Sequence, residues 1–215
     1  MSSPSSPILR LDRPYKAILF DMDGTLLDSH VAVERVWRDW AAAYGRDSAP
    51  IMKVSHGRRT IDTVRAFDIP GLDVEAEVLK IEALEIADTD GIVAIAGAAE
   101  LLARLPSDRW VIVTSASRAL ATRRLTAACL PIPAFMINAE QVTHGKPDPE
   151  GYNKGAGLLG TTADQCLVFE DAPAGIEAGR RAGSDVVAIT AARPFSFEAG
   201  CSEVLDYNHV QFELA

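Results

Sequence analysis

Five short apolar runs, spaced along the chain and separated by helical patterns, restrict this sequence to one class of fold. They cover residues 17–20, 111–113, 134–137, 167–169 and 186–189, with a weaker sixth at Val204-Leu205. Each suits a strand buried on both faces and is too short for an ordinary helix. Segments with helical periodicity, such as 118–128 and 174–182, alternate with them. That alternation predicts βαβ units, a Rossmann-like parallel sheet and an α/β fold. One interval breaks the rhythm. Between Phe20 and Val111 only helical patterns occur, at 31–43, 60–67, 74–87 and 98–105. Residues 30–93 therefore read as an inserted helical cap, flanked by polar or glycine-bearing exits at Asp28-Ser29 and Asp88-Thr89-Asp90-Gly91. Residues 15–29 and 94–215 form the core, and the Ser- and Pro-rich start places a disordered tail over residues 1–14.

Ligands bind parallel α/β sheets at the carboxyl ends of the strands. Here those ends carry Asp21 and Asp23, then Thr114-Ser115, then Asn138, then Glu170-Asp171. A carboxylate leaving a buried strand is costly unless it is paired, solvated or metal-bound. Asp21-Met22-Asp23-Gly24 forms a compact anionic corner that can hold a divalent metal and still offer one oxygen as a nucleophile. The chemistry this suggests is phosphoryl transfer to a carboxylate. Asp21 would attack phosphorus, and Asp23 would protonate the leaving alkoxide and then deprotonate the attacking water. Gly24 permits the sharp turn, and Thr25 is expected to bond the turn and orient Asp23.

The other strand ends supply what that chemistry requires. Thr114, Ser115 and Ala116 precede a helix, where backbone N–H groups and a hydroxyl suit a phosphate; Ser117 also reads as a plain helix cap. Lys146 lies in Gly145-Lys146-Pro147-Asp148, just before a helix capped by Asp148, and would neutralise nucleophile and phosphate. Asp171, the Asp21 side chain and the Asp23 backbone carbonyl would hold Mg²⁺, with Glu170 a further ligand directly or through water.

Net charge is −9 with 24% charged and 48% apolar residues. That fits an ordinary globular chain and argues against a nucleic-acid partner, which demands a basic face. A small phosphorylated substrate needs only a local positive site. The three cysteines, Cys129, Cys166 and Cys201, have no metal-ligand spacing and suit a reducing compartment. No apolar run reaches the ~18 residues of a membrane span. Residues 1–7 lack the apolar stretch of a secretory signal. A cytoplasmic monomer without membrane contact is expected.

Taken in order, Asp21-Met22-Asp23-Gly24-Thr25, the Ser115 segment, Lys146 and Glu170-Asp171 resemble the four motifs of the haloacid dehalogenase-like hydrolases. The resemblance spans about residue 16 to 190 and implies a Rossmann-like core, a helical cap, Mg²⁺ dependence and an aspartyl-phosphate intermediate. Three further stretches are similar to the glycerol-phosphate, 2-deoxyglucose-6-phosphate and related sugar or polyol phosphatases. They are Ser55-His56-Gly57-Arg58-Arg59-Thr60, Gly145-Lys146-Pro147-Asp148-Pro149-Glu150 and Phe169-Glu170-Asp171-Ala172-Pro173-Ala174-Gly175-Ile176. That likeness turns His56, Arg58 and Arg59 toward the substrate's hydroxyls or phosphate, although the run also reads as a basic surface turn. Lys80 and Glu82, on a later cap helix, read as a solvated face.

Three rival activities use the same scaffold. A phosphomutase of the β-phosphoglucomutase kind carries another residue in place of Thr25 and a hinge histidine where this chain has Val33; both departures favour hydrolysis. A dehalogenase needs no acid at position 23. A non-catalytic phosphate-binding protein would have lost one of Asp21, Asp23, Lys146 or Asp171, and all four are present.

Overall fold

The computed structural model describes residues 8–192 and 199–215. In chain order the elements are β1 (Leu9–Tyr15), β2 (Ala17–Phe20), β3 (Leu27–Asp28), α1 (His30–Ala43), α2 (Ala49–Ser55), α3 (Thr60–Ala66) and α4 (Val74–Ala87). They continue with β4 (Val93–Ala94), α5 (Ala98–Arg104), β5 (Trp110–Val113), α6 (Arg118–Ala127), β6 (Met136–Ile137) and α7 (Glu150–Leu158). The last are β7 (Cys166–Glu170), α8 (Pro173–Arg181), β8 (Asp185–Ile189), β9 (Ser202–Val204) and β10 (Val210–Leu214).

Six strands form one parallel sheet in the order β6-β5-β2-β7-β8-β9. The expected runs all appear, with small shifts at their ends. β2 is central and buried along its whole length, and its side chains alternate between two cores. Ile18 and Phe20 face α5 and α6 through Leu101, Leu102, Leu120 and Leu125. Ala17 and Leu19 face α7 and α8 through Tyr152, Ala156, Ile176 and Ala178. Phe20 stacks on Phe169 across β2–β7, ring centroids 5.4 Å apart. Parallel register pairs Phe20 with Phe169. The residues that follow, Asp21 and Glu170-Asp171, therefore emerge side by side at one sheet edge.

The insertion is helical and has its own core of Trp37, Trp40, Ile51, Val64 and Ile81. Its entry and exit are tied together, because β3 and β4 pair antiparallel with Leu27 opposite Ala94. The structure adds α2, which the pattern of the sequence did not announce. It also corrects the tail expected over residues 1–14. From Leu9 onward the chain is strand β1, running parallel to β10 with Leu9 opposite Val210 and Tyr15 opposite Leu214. Leu9, Leu11, Val210 and Phe212 pack against the main core, which local composition around the Ser/Pro segment does not reveal. The rest of that expected tail, residues 1–7, lies outside the described residues.

Phe20 is fully buried against Phe169, Trp110 and Tyr207. Phe20→Ala should cost about 3–5 kcal/mol of stability, read as a lowered midpoint in chemical denaturation. A midpoint indistinguishable from that of the parent would contradict this packing.

Candidate active site

The first half of the site is a buried electrostatic cluster at the ends of β2 and β7. Lys146, on the loop before α7, reaches inward and places Nζ 2.5 Å from Asp21 Oδ1 and 2.6 Å from Glu170 Oε1. Asp21, Glu170 and Asp171 are all buried, with carboxylate oxygens within 4.8 Å of one another. Burial works against the Lys146 charge, but Asp21 and Glu170 outweigh it and raise the lysine's proton affinity. Burial pushes the Asp21 carboxyl well up; Lys146 opposes that and Glu170 adds to it. Asp171 is pushed up by burial, then by Glu170 and Asp21.

Two glycines make this crowding possible. Gly24 has φ +83°, and a Cβ there would sit 2.1 Å from Asp171 Oδ2. A Cβ on Gly175 would fall 1.5 Å from Glu170 Oε1. Any side chain at either position displaces a carboxylate.

Glu170 is saturated by protein donors. Oε1 accepts from Lys146 and from Tyr152 Oη at 3.0 Å. Oε2 accepts the backbone N–H groups of Asp171 and Ala172 at 2.8 and 3.0 Å. Thr25, expected to steady Asp23, instead donates to Asp171 Oδ1 at 3.1 Å, because its turn folds it toward the neighbouring β7 end.

The second half surrounds Asp23, which is more accessible. Its Oδ1 accepts from Ser29 Oγ at 2.6 Å and lies 3.0 Å from Arg124 Nη1. Arg124, on α6, is buried and also donates through Nη2 to Glu85 Oε1 at 3.1 Å. Glu85 belongs to α4 in the insertion, so one guanidinium joins core and cap. Burial raises the Glu85 carboxyl, with Arg124 opposing.

Asp21 and Asp23 line a cavity of about 650 Å³, partly open to solvent, together with Thr114, Ser115 and Ala116 from the core and His56 and Arg58 from the cap. Thr114 Oγ1 accepts from the Ala116 N–H at 3.1 Å, which leaves the threonine's own proton to donate. Ser115 donates to the cap carbonyl of Gly57 at 2.9 Å, and Ser117 caps α6 by accepting from the Leu120 N–H. Burial lowers the His56 imidazole to about 4, with His30 adding to the effect and Asp23 opposing it, so the ring is neutral near pH 7. Asn138, the remaining polar strand end, is not among the lining residues.

Arg59 departs from its expected position. Its guanidinium is forked onto Asp62 at 2.7 and 3.0 Å and donates to the carbonyls of Val142 and Thr143. It clasps the cap to the core instead of facing the cavity, because it starts α3 alongside the loop that carries Lys146. Lys80 is exposed on α4 and pairs with the buried Glu77. Neither Lys80 nor Glu82 lines the cavity.

Glu85, Arg124 and Tyr152 were not singled out from the sequence, although two of them leave a trace there. Arg124 falls on the stripe of buried Leu120, Ala121 and Leu125, and Glu85 follows Ile81 by four residues on the inward face of α4. A charge on an otherwise apolar helical stripe is the signal that marks Arg124; the inward face of α4 also carries buried Glu77, so Glu85 stands out less. Tyr152 leaves no such mark.

Comparison with known proteins places this geometry in context. Residues 15–183 match the haloacid dehalogenase-like hydrolase family. The chain is 42% identical over 181 residues to hexitol phosphatase A of Escherichia coli, covering 82% of this chain and 83% of that protein. It is 35% identical over 211 residues to glycerol-1-phosphate phosphohydrolase 2 of Saccharomyces cerevisiae, covering 90% and 82%. A crystal structure of a hydrolase from Pseudomonas syringae superposes with a TM-score of 0.77 at 26% identity, over 92% of this chain and 94% of the other. A buried lysine–carboxylate cluster at the carboxyl edge of a parallel sheet, beneath a helical cap, is thus carried by a chain that belongs to the haloacid dehalogenase-like hydrolase family.

Proposed function

We propose that this hydrolase removes the phosphoryl group from a small sugar or polyol phosphate through an aspartyl-phosphate formed on Asp21, with Mg²⁺ as cofactor. The observation that carries the reading is the Asp21–Lys146–Glu170–Asp171 cluster, whose Asp21 lines a cavity together with Asp23.

The donor set fits a hard divalent cation. Three buried carboxyl groups face one ammonium, so full ionisation leaves two negative charges unmatched, and every donor is oxygen. Because Glu170 is saturated by protein donors, the side chains of Asp21 and Asp171 and the Asp23 carbonyl are the groups that would hold the ion. Glu170 would fix Lys146 instead of binding metal directly. The bound ion would offset charge on the phosphate and favour ionised Asp21.

The protein's own groups then divide the work. Thr114 donates its hydroxyl proton to the phosphate, and Ser115 does so on releasing Gly57. Lys146 keeps one N–H beyond those given to Asp21 and Glu170, and it offsets the charge gathering on the phosphoryl oxygens. The free oxygen of Asp21 attacks phosphorus as the P–O bond to the leaving group breaks. Asp23, held by Ser29 and Arg124, delivers its proton to the departing alkoxide. It then takes a proton from the water that attacks the aspartyl-phosphate, releasing inorganic phosphate and restoring Asp21. His56 and Arg58 face the part of the substrate beyond the phosphate. Val33 lines the cavity without a titratable group, which favours transfer to water over return to a sugar.

Asp21→Asn should abolish phosphate release while the protein stays folded, since an amide does not attack; turnover at the parent rate would refute the nucleophile. Asp23→Asn should slow turnover by ~10²–10⁴-fold, measured on an alkyl phosphate. Chelation should silence the enzyme and Mg²⁺ should restore it. Mg²⁺ should also raise the melting temperature, by about 2.7 kcal/mol of stabilisation at a hundredfold excess over Kd. Asp171→Asn should lose that thermal shift, and a shift that survives it would move the ion elsewhere.

A further inference from the structure

Two side chains on the cavity wall, Arg124 and His30, carry buried polar atoms with no hydrogen-bond partner in the protein, and Glu85 lines the same cavity. Arg124 is 5% exposed, and its two terminal nitrogens are held by Asp23 and Glu85, yet Nε is buried with no hydrogen-bond partner. His30, the first residue of α1, has Nδ1 3.0 Å from Asp28 Oδ1. A carboxylate only accepts, so Nδ1 carries a proton, and in that tautomer Nε2 presents a lone pair. That Nε2 is also buried and unpartnered. Glu85 accepts from Arg124 and lines the same cavity as His30, Asp21 and Thr114. Leaving buried polar atoms unpaired is unfavourable, and they become satisfied when a ligand meets them.

We infer that Glu85, Arg124 and His30 form the wall that reads the hydroxyl groups of the substrate. This rests on the phosphatase reading above and deepens it. A hydroxyl needs an acceptor for its proton and a donor for its lone pairs. Arg124 Nε–H supplies the donor, and His30 Nε2 and the Glu85 carboxylate supply acceptors. Both terminal nitrogens of Arg124 are already committed to Asp23 and Glu85, so this three-residue wall suits a neutral hydroxyl better than a second anion; Arg58, the other guanidinium lining the cavity, stands outside it.

The array spans both parts of the molecule. His30 and Glu85 stand on α1 and α4 of the insertion and Arg124 on α6 of the core, so the wall is complete only where cap and core meet.

The test compares kcat and KM for three esters: glycerol phosphate, propyl phosphate, which lacks the hydroxyls, and phosphoglycolate, which carries a distal carboxylate. Wild type should favour glycerol phosphate over propyl phosphate by about tenfold or more in kcat/KM, the scale of one or two hydrogen bonds. Glu85→Gln should reduce that preference, mainly through KM, and raise the relative kcat/KM of phosphoglycolate several-fold. His30→Phe, which keeps the ring beside His56, should reduce the glycerol-to-propyl preference in the same way and supplies the test if Glu85→Gln does not fold. Equal losses on all three esters, or a wild type indifferent to the hydroxyls, would overturn the inference and leave the phosphatase reading standing. A wild type that releases phosphate from no ester would overturn both.

Discussion

The ammonium of Lys146, fixed between Asp21 and Glu170, is the interaction on which the rest of the site depends. Removing one partner from a buried ion pair costs about 3–5 kcal/mol, because a charge is left uncompensated. Here the imbalance is already present, with three carboxylates against one lysine. The fold tolerates it by saturating Glu170 with Lys146, Tyr152 and two backbone N–H groups. That leaves Asp21 and Asp171 as the two carboxyls of the cluster without a full set of protein donors.

Parallel register and missing side chains enforce that geometry together. β2 and β7 run side by side with Phe20 opposite Phe169, so the acids that follow are neighbours whatever their own preferences. The stacked aromatic pair beneath them is dry and rigid, which limits how far the carboxylates can relax. The absence of Cβ atoms at Gly24 and Gly175 supplies the remaining space.

A second charged group, Asp23–Arg124–Glu85, divides the cavity's tasks. In the proposed reaction the first cluster would serve the phosphate and the nucleophile and the second the leaving group, and Glu85 ties the second to the cap. Arg59 adds a mechanical tie on the other side of the cavity by bonding the carbonyls of Val142 and Thr143. Cap and core are thus joined by two arginines with different duties, one clasping and one facing the cavity.

The sequence by itself determined the sheet, the helical insertion and the acids and lysine at the strand ends. Short buried strands, helical periods and charges beside Gly and Pro are local properties, and each leaves a mark within a few residues. Whatever depends on which surfaces meet was decided by tertiary structure alone. Leu9–Tyr15 became a strand because β10, at the far end of the chain, pairs with it. Arg59 left the cavity because a core loop presented carbonyls to it, and Thr25 turned from Asp23 to Asp171 because β7 lies next to β2. Arg124 carried a faint trace, a charge on an apolar stripe, but only the packing of α4 against α6 brought Glu85 to it. A residue's type limits the bonds it can make, and only the fold brings it the group that makes them.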